Sequence, residues 1–358
     1  MNTLLITGAT GFLGGAVLES ILNKMNAPNL LLLVRADNSV AAVERIKDNL
    51  RKFNISEARL TALTPHNILL GDLANPQPFL QDPRLNQVTH VLNCAAVASF
   101  GNNPLIWKVN VEGTLQFARR MAQVSGLQRF LHVGTAMSCS PDPDSLVAES
   151  TAFRERATIE RLMRQECPTL PLAIARPSIV VGHTHHGCQP SSSIFWVFSM
   201  GLMLQKFMCS MEDRIDVIPV DYCADALLML LISPLARGEV VHISAGEENS
   251  VRFADIDNAM ASALEQAPVG DKYAQVSYET LVKMRRELKT IFGPCNERLM
   301  LKAMRLYGAF ATLNVRFSND KLLSMGMPKP PRFTDYIDRC VQTTRGLSIP
   351  QQMAVDFK

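Results

Sequence analysis

Short apolar runs alternate with amphipathic stretches along most of the chain. The first run, residues 2–7, precedes a glycine-rich turn and then apolar residues at helical spacing from Phe12 to Leu22. This order predicts a strand, a turn and a helix. Further strands are predicted at residues 30–34, 67–70, 89–92, 130–133, 172–175 and 240–243, and helices at 41–53, 105–125 and 152–166. The alternation predicts an α/β fold with a doubly wound parallel sheet, because crossovers between parallel strands need helices.

After residue 245 the pattern changes to helices and loops, which predicts a smaller, mostly helical C-terminal lobe that binds substrate. The lobe's last helix is predicted around residues 334–343, and the final dozen residues are expected to be loosely held. We expect the sheet domain to comprise residues 1–182 and 215–245, and the substrate lobe to comprise residues 183–214 and 246–358.

The most apolar stretch is residues 194–204. It is about half as long as the ~20 residues that a membrane span requires, so we interpret it as a buried or pocket-lining helix. Methionine and aromatic side chains recur in and after it at near-helical spacing. Core packing explains such a cluster, but flexible thioethers also suit a pocket for an acyl chain, so both interpretations stay open.

Composition narrows the expected partners. The 358-residue chain has a formal charge of +3 and no block of Lys or Arg, which argues against nucleic acid and favours small molecules or proteins, including a homodimer. Its eight cysteines form no CxxC pair and are typical of reduced thiols in a cytosol. The first strand begins at residue 2, which leaves no room for a signal peptide, so a cytoplasmic location is expected.

The turn after the first strand carries the clearest chemistry. Gly8 can make a tight turn, Gly11 lets the backbone approach a pyrophosphate, and Gly14 permits close packing of helix on strand. Free N–H groups at the helix start would attract the anion. A purely structural turn is the alternative. The pattern predicts a Rossmann-type dinucleotide site formed by Thr7, Gly8, Thr10, Gly11, Phe12, Leu13 and Gly14.

Arg35 ends the second strand, where an acidic residue would bond the ribose hydroxyls of NAD. A guanidinium suits a 2′-phosphate, so NADPH is expected ahead of NADH, although nearby Asp37 keeps NADH open. Asp72 and Leu73 follow the third strand, and Asp72 either bonds the adenine or caps a turn.

Eight motifs occur together along the chain. They are TGATGFLGG at 7–15, LLLVRA at 31–36, GDL at 71–73, VLNCAAVASF at 91–100, KVNVEGT at 108–114, FLHVGTA at 130–136, ARPSIVVG at 175–182 and IPVDYCADA at 218–226. With them the chain resembles the extended short-chain dehydrogenase/reductase superfamily, in the branch of thioester reductases and fatty acyl-CoA reductases. The resemblance is clear over residues 1–245 and fainter beyond. It implies an NADPH-dependent reductase whose hydrophobic thioester, aldehyde or quinone-like substrate is a small molecule or is linked to an acyl carrier.

The resemblance also implies roles for individual residues. Thr135 would occupy the catalytic Ser/Thr position and contact the cofactor. Asn110 would kink a helix or hold a water molecule, with plain helix packing as the alternative. The residues bordering the cofactor would be Asn93, Cys94, Ala95 and Ala96, and those along the nicotinamide Pro177, Ser178, Ile179 and Val180.

The chain departs from this family at the residues that transfer a proton. The family's active helix reads Tyr-x-x-x-Lys, and the matching positions here are Phe153 and Ala157. Phenylalanine has no proton to give, and alanine has no charge with which to lower a neighbour's pKa. No tyrosine precedes Tyr222, so sliding the register recovers none. Loss of a general acid typically costs ~10²–10⁴ in rate, which hydride transfer could survive.

A histidine-rich loop after the sixth strand offers a replacement donor. His185 or His186 could protonate a substrate because histidine titrates near neutral pH; a solvated loop is the alternative. The spacing is not a standard zinc pattern and we expect no carboxylate close by, so no metal is expected. The sequence leaves two hypotheses: a reductase with atypical proton delivery, or a redox-inactive nucleotide-binding protein that serves as sensor or scaffold or catalyses acyl condensation or release.

Overall fold

A seven-stranded parallel sheet forms the centre of the fold. The structure, a computed structural model, describes residues 2–24, 28–97, 103–150 and 158–356. The sheet strands are β1 (Thr3–Thr7), β2 (Asn29–Val34), β3 (Ile68–Leu70), β4 (His90–Asn93), β5 (Arg129–Val133), β6 (Leu172–Pro177) and β7 (Val240–Ile243). They lie in the order β7-β6-β5-β4-β1-β2-β3, and every neighbouring pair is parallel. The order reverses beside β1, so the predicted Rossmann-type doubly wound sheet is confirmed.

Helices cover both faces of the sheet and form most of the C-terminal part. The longer ones are α1 (Phe12–Asn23), α2 (Ser39–Arg51), α3 (Thr114–Met121), α4 (Thr158–Glu166), α5 (Phe195–Leu204), α6 (Val220–Ile232), α7 (Phe253–Ala263), α8 (Glu297–Ala311), α9 (Ile337–Thr344) and α10 (Ile349–Asp356). Shorter α-helices span Glu57–Leu60, Gln77–Leu80, Pro104–Trp107, Gly246–Asn249, Tyr278–Lys283, Leu288–Phe292 and Asp320–Ser324. Two-residue strands pair Leu146–Val147 with Arg316–Phe317, Ile179–Val180 with Val217–Ile218, Lys206–Phe207 with Ala274–Gln275, and Arg214–Ile215 with Val251–Arg252.

Successive residues of β1 enter the two cores of the sheet. Leu4 and Ile6 pack with α1 and α6 on one face, whereas Leu5 packs with Phe117 and Phe130 on the other. Such a strand needs apolar residues at every position, which is why the strands read as continuous apolar runs rather than as alternating ones.

A third apolar cluster occupies the C-terminal part. It contains α5, as expected for a buried or pocket-lining helix, together with residues of α7, α8 and α9. The expectation of a loosely held C-terminus is wrong, because Ile349 and Met353 of α10 are buried in this cluster. No helix among the described residues is both long and apolar enough to cross a bilayer. The domain boundaries given above remain a prediction.

One predicted helix, residues 105–125, is interrupted. Its middle, Lys108–Gly113, is a π-helix that leads into α3. Asn110 in this turn accepts from Val97 N at 2.8 Å and donates to Val97 O at 3.2 Å, so its side chain holds the segment that follows β4. The π-helical turn interrupts the regular α-helix at Asn110.

Candidate functional site

β1 ends in the predicted glycine turn. Gly8 has a φ of +77°, and Gly11 N donates to Gly8 O at 2.9 Å. A Cβ atom on Gly14 would lie 2.2 Å from Gly8 O, so α1 packs this closely only because Gly14 has no side chain. Within the described residues no side chain caps α1 at Gly11, which leaves its first N–H groups available to an anion.

Buried side chains hold this turn from behind. Thr7 Oγ1 donates to Asn93 Oδ1 at 2.7 Å and accepts from Ala95 N at 3.0 Å. Asn49 of α2 donates to Gly11 O at 3.0 Å. Thr7 and Asn93 are almost fully buried, so they shape the turn rather than line the space in front of it. Asn49 is a supporting residue that the sequence reasoning missed.

A cleft of about 230 Å³ opens in front of the turn. We call it the dinucleotide cleft. Phe12 and Leu13 do not line it; they pack into the core around α1, where Phe12 stacks on Phe53 with ring centroids 6.4 Å apart. The cleft brings together nine residues that were selected from the sequence: Gly8, Thr10, Gly11, Arg35, Asp72, Leu73, Cys94, Ala95 and Ala96.

Two guanidinium groups border the dinucleotide cleft. Arg35 is largely exposed, with its Nη1 3.8 Å from Asp72 Oδ2. Arg45 of α2 also lines the cleft and donates to Arg35 O. Asp72 accepts from Ala74 N at 2.8 Å and therefore caps the turn, which is one of the two roles predicted for it. Arg45 was not predicted from the sequence. Its position on the helix that follows Arg35 is the feature that could have indicated its role.

A second cavity, of about 360 Å³, lies where β5 ends. We call it the Thr135 cavity. Thr135 Oγ1 accepts from Met137 N at 3.3 Å, and this bond leaves its own proton for a ligand. Most of the wall is hydrocarbon, supplied by Ile179, Val180, Val197, Phe198, Phe310 and Ala311 among others. The polar groups of the wall are the hydroxyl groups of Thr135, Ser193 and Tyr307, the guanidinium of Arg214 and the carboxyl group of Asp216.

A buried carboxyl group, Asp216, also lines this cavity, as does the guanidinium of Arg214. Asp216 accepts from Ala245 N at 2.7 Å and from Phe317 N at 3.0 Å, and Ser178 lies beside it. Burial raises the pKa of Asp216 to about 6, although these hydrogen bonds oppose the rise. Asp216 links the end of β7 to the C-terminal part of the chain. No local sequence motif indicates this contact.

A buried ion pair ties α4 to β6. Arg176 Nε lies 3.2 Å from both carboxylate oxygens of Glu160, and both side chains are 2% exposed. The pair fixes α4 beside the strand that ends at Pro177. Phe153 and Ala157 lie outside the described residues.

The histidine loop does not border the Thr135 cavity. Neither His185 nor His186 is among the described residues that line it. His183 Nε2 lies 3.0 Å from Glu19 Oε2, and His186 Nε2 lies 3.2 Å from Glu19 Oε1. The expectation of no nearby carboxylate is therefore wrong, because packing of α1 against this loop brings in a glutamate from far away in the chain.

Glu19, His183 and His186 place their ligand atoms close enough to hold a metal ion. However, His183 Nδ1 accepts from His185 N at 3.0 Å and His186 N at 3.3 Å. A neutral ring that accepts at Nδ1 carries its proton on Nε2, where it donates to Glu19. In that tautomer hydrogen bonds alone account for the contacts of Glu19 with the two histidines.

More than half of the chain matches one family model, an NAD-binding model described as "Male sterility protein", over residues 6–158 and 154–227. Aldehyde reductase lnbA of Aspergillus flavus is 25% identical over 269 residues, which are 67% of this chain and 26% of that protein. The chain spans 26% to 59% of the length of the first three such relatives.

Two solved structures share the fold over 96% of this chain. The terminal R domain from the myxalamid PKS-NRPS biosynthetic pathway has a TM-score of 0.76 and 19% identity, with 90% of that chain covered. A thiolation-reductase di-domain from an archaeal non-ribosomal peptide synthetase has a TM-score of 0.68 and 18% identity, with 75% covered. At these identities the likeness shows the fold alone.

Proposed function

Because the chain belongs to the male sterility protein family of NAD-binding domains, we propose that it is an NADPH-dependent reductase of a hydrophobic acyl or carbonyl substrate. The observation that carries this proposal is the position of the Thr135 hydroxyl in a cavity walled mostly by hydrocarbon. The dinucleotide cleft follows the ends of β1 to β4, and Thr135 follows the end of β5. Carboxyl ends of parallel strands share one edge of a sheet, so cofactor and substrate would meet there.

The residues of the dinucleotide cleft fit a nicotinamide dinucleotide. The turn at Gly8 and Gly11 offers a close backbone approach to a pyrophosphate, and the start of α1 offers N–H groups. Arg35 and Arg45 favour the extra phosphate of NADPH over the plain ribose of NADH. The bound cofactor would supply a hydride to the substrate carbonyl.

The Thr135 cavity favours a substrate with a hydrocarbon portion. Val197 and Phe198 from α5 face Phe310 and Ala311 across a space with few polar groups. A thioester, an aldehyde or a quinone-like carbonyl could place its oxygen at Thr135. The chain is similar to a protein named aldehyde reductase and to a thiolation-reductase di-domain, which supports a free or acyl-carrier-linked substrate.

We assign substrate positioning and proton delivery to Thr135. The family's tyrosine and lysine have Phe153 and Ala157 at the matching positions of this sequence. His185 and His186 are weaker candidates, because His186 is bound to Glu19 and neither lines the cavity. The Thr135 hydroxyl would donate a hydrogen bond to the substrate carbonyl and so orient it. It would also relay a proton from water to that oxygen.

The absence of tyrosine before Tyr222 favours one second candidate, a nucleotide-binding protein that does not transfer hydride. Such a protein would act as a sensor or scaffold, or catalyse acyl condensation or release. It would keep the dinucleotide cleft and use the Thr135 cavity without redox chemistry.

Isotope transfer separates these functions. Purified protein is incubated with NADPH deuterated at C4 and with an acyl thioester, a long-chain aldehyde or a quinone, and products are examined by mass spectrometry. A reductase places deuterium in a product, and Thr135→Ala lowers the rate while Thr135→Ser retains most of it. Thr61→Ala, at an exposed threonine, is the matched control. Dinucleotide binding with unlabelled product in every reaction would favour the second candidate.

A further inference from the structure

Helix α5 has two apolar faces, and only one of them belongs to the Thr135 cavity. On that face lie Ile194 just before the helix, Val197 and Phe198, which follow the i, i+3, i+4 spacing of one helical stripe. The opposite stripe lines a different cavity, of about 660 Å³, through Phe195, Ser199, Leu202 and Met203. We call this space the lobe cavity. α5 is therefore a wall between two cavities, which explains why it is apolar all round.

The lobe cavity has the size and the surface of a small-molecule site. Its other walls come from α7, from the segment after it and from the connection between α9 and α10. Its volume falls within the range of roughly 300–1,000 Å³ that ligand pockets show. Three large apolar side chains on its wall are unusually exposed: Met203 at 52%, Leu264 at 38% and Leu347 at 49%. Exposed apolar groups gathered at one concavity mark a binding site.

Cationic side chains outnumber anionic ones at the lobe cavity. Lys272 and Arg345 both line it and are exposed, and neither forms an ion pair in the described part of the chain. Asp257 also lines it, but its two carboxylate oxygens accept from Val269 N at 3.0 Å and Gly270 N at 2.9 Å. The cavity thus combines a hydrocarbon interior with two cations that an anion could pair.

We propose that the lobe cavity binds an aliphatic chain that carries an anionic head group, a carboxylate or a phosphate. The chain would pack against α5 and α7, and the head group would pair with Lys272 and Arg345. A neutral alkyl chain would contact α5 and α7 but would not pair with the two cations. A hydrophilic anion would pair with the cations but would not pack against the two helices. This site lies on the other side of α5 from the Thr135 cavity and does not depend on the proposed reductase activity.

Titration calorimetry with dodecanoate, dodecyl phosphate and dodecanol tests the proposal. The double variant Lys272→Glu with Arg345→Glu should bind both anions at least ~10-fold more weakly and dodecanol equally well. Arg298→Glu with Lys302→Glu, on the exposed side of α8, makes the same change in net charge away from the cavity and should bind as the unaltered protein does. A preference for dodecanoate or for dodecyl phosphate identifies which head group the site takes.

A second pair of variants assigns binding to one cavity. Ala261→Trp fills the lobe cavity and should abolish binding, whereas Ala311→Trp fills the Thr135 cavity and should leave the anions bound. Thermal melts show whether each variant is folded. If Ala261→Trp does not fold, the two charge-reversal variants still test the proposal. The proposal is overturned if neither anion binds, if charge reversal changes nothing, or if only Ala311→Trp removes binding.

Discussion

The dinucleotide cleft and the Thr135 cavity share one edge of the sheet but are built from different groups. The cleft is walled mainly by backbone at strand ends and by two arginines, all supplied by the first 109 residues of the chain. The cavity is walled by side chains that come from as far apart as Thr135 and Phe317. A pyrophosphate needs only N–H groups and space, whereas a hydrocarbon substrate is selected by the shape of the side chains around it.

The two regions also differ in how complete their chemistry is. The cleft contains a turn, a helix start and cations, the groups that the proposed binding of NADPH requires. The Thr135 cavity offers the hydroxyls of Thr135, Ser193 and Tyr307, the guanidinium of Arg214 and the engaged carboxyl of Asp216, and the described part of its wall contains no lysine. The cleft thus matches its proposed ligand more completely than the cavity matches the proposed reaction.

The largest expected effect comes from restoring the tyrosine and lysine at the two positions where the resemblance implies them. Phe153→Tyr with Ala157→Lys should raise the rate of carbonyl reduction by ~10²–10⁴, because a phenol beside an ammonium group can protonate the product alkoxide. NADPH oxidation with a long-chain aldehyde measures the gain.

The same pair placed one residue earlier, Ala152→Tyr with Arg156→Lys, keeps the four-residue spacing and, in the helix that the sequence predicts over residues 152–166, would turn both groups by ~100°. One of the two registers should therefore gain far more than the other. No gain in either, with NADPH still bound, would mean that the Thr135 cavity does not position a carbonyl for reduction.

The next effect acts on the cleft alone. Gly14→Ala places a Cβ 2.2 Å from Gly8 O, so the turn or α1 must shift. We expect affinity for NADPH and NADH to fall together by about 100-fold, in line with the ~1–3 kcal/mol that overpacking costs. Gly126→Ala is the control, since a Cβ there meets no atom within 4 Å. Unchanged dinucleotide affinity in Gly14→Ala would place the cofactor elsewhere.

A smaller, selective effect should follow from the arginines. Arg35→Ala with Arg45→Ala should weaken NADPH by about 10-fold, or ~1.4 kcal/mol, and leave NADH nearly unchanged. The loss is modest because Arg35 is exposed and solvent screens its charge. Competition titrations at two salt concentrations measure it. Equal losses for both dinucleotides would show that the arginines shape the cleft rather than read the 2′-phosphate.

The contrast also explains what could be predicted from sequence. The glycine turn, Arg35 and Cys94 lie directly after predicted strands, and strand ends of a parallel sheet converge, so local motifs located most of the cleft. Arg45 was missed because its contact with Arg35 depends on the angle at which α2 returns to the sheet. Glu19 beside the histidine loop was missed for the same reason, since 164 positions separate it from His183.

The Thr135 cavity could be anticipated only in part. Thr135 and Val180 were selected from motifs, and the apolar character of residues 194–204 indicated a pocket-lining helix. Neither Tyr307 nor Phe317 could be assigned, because no local pattern tells which face of a C-terminal element turns toward a distant strand. Asp216 was missed since its role depends on the amides of Ala245 and Phe317.

The smallest effect concerns the contact between the sheet and the C-terminal part of the chain. Glu149 accepts from His242 N of β7 at 2.8 Å and from Lys321 N at 2.7 Å. Burial raises the pKa of Glu149 to about 7, above the 4.5 of an ordinary glutamate. The folded state therefore holds this proton more tightly than the unfolded state, so its contribution to stability is present below pH 4.5 and is lost as pH rises to about 7.

Glu149→Gln should remove this component of the pH dependence. Between pH 5 and 8 the unaltered protein should lose about 1 kcal/mol more stability than the variant does, a figure reduced for partial exposure and equivalent to ~2 °C in Tm. Thermal melts across that range measure the difference, with Glu287→Gln as the exposed control. If the two pH profiles ran parallel, Glu149 would already be ionised at pH 5, and its hydrogen bonds to the two amides would outweigh the cost of burying its charge.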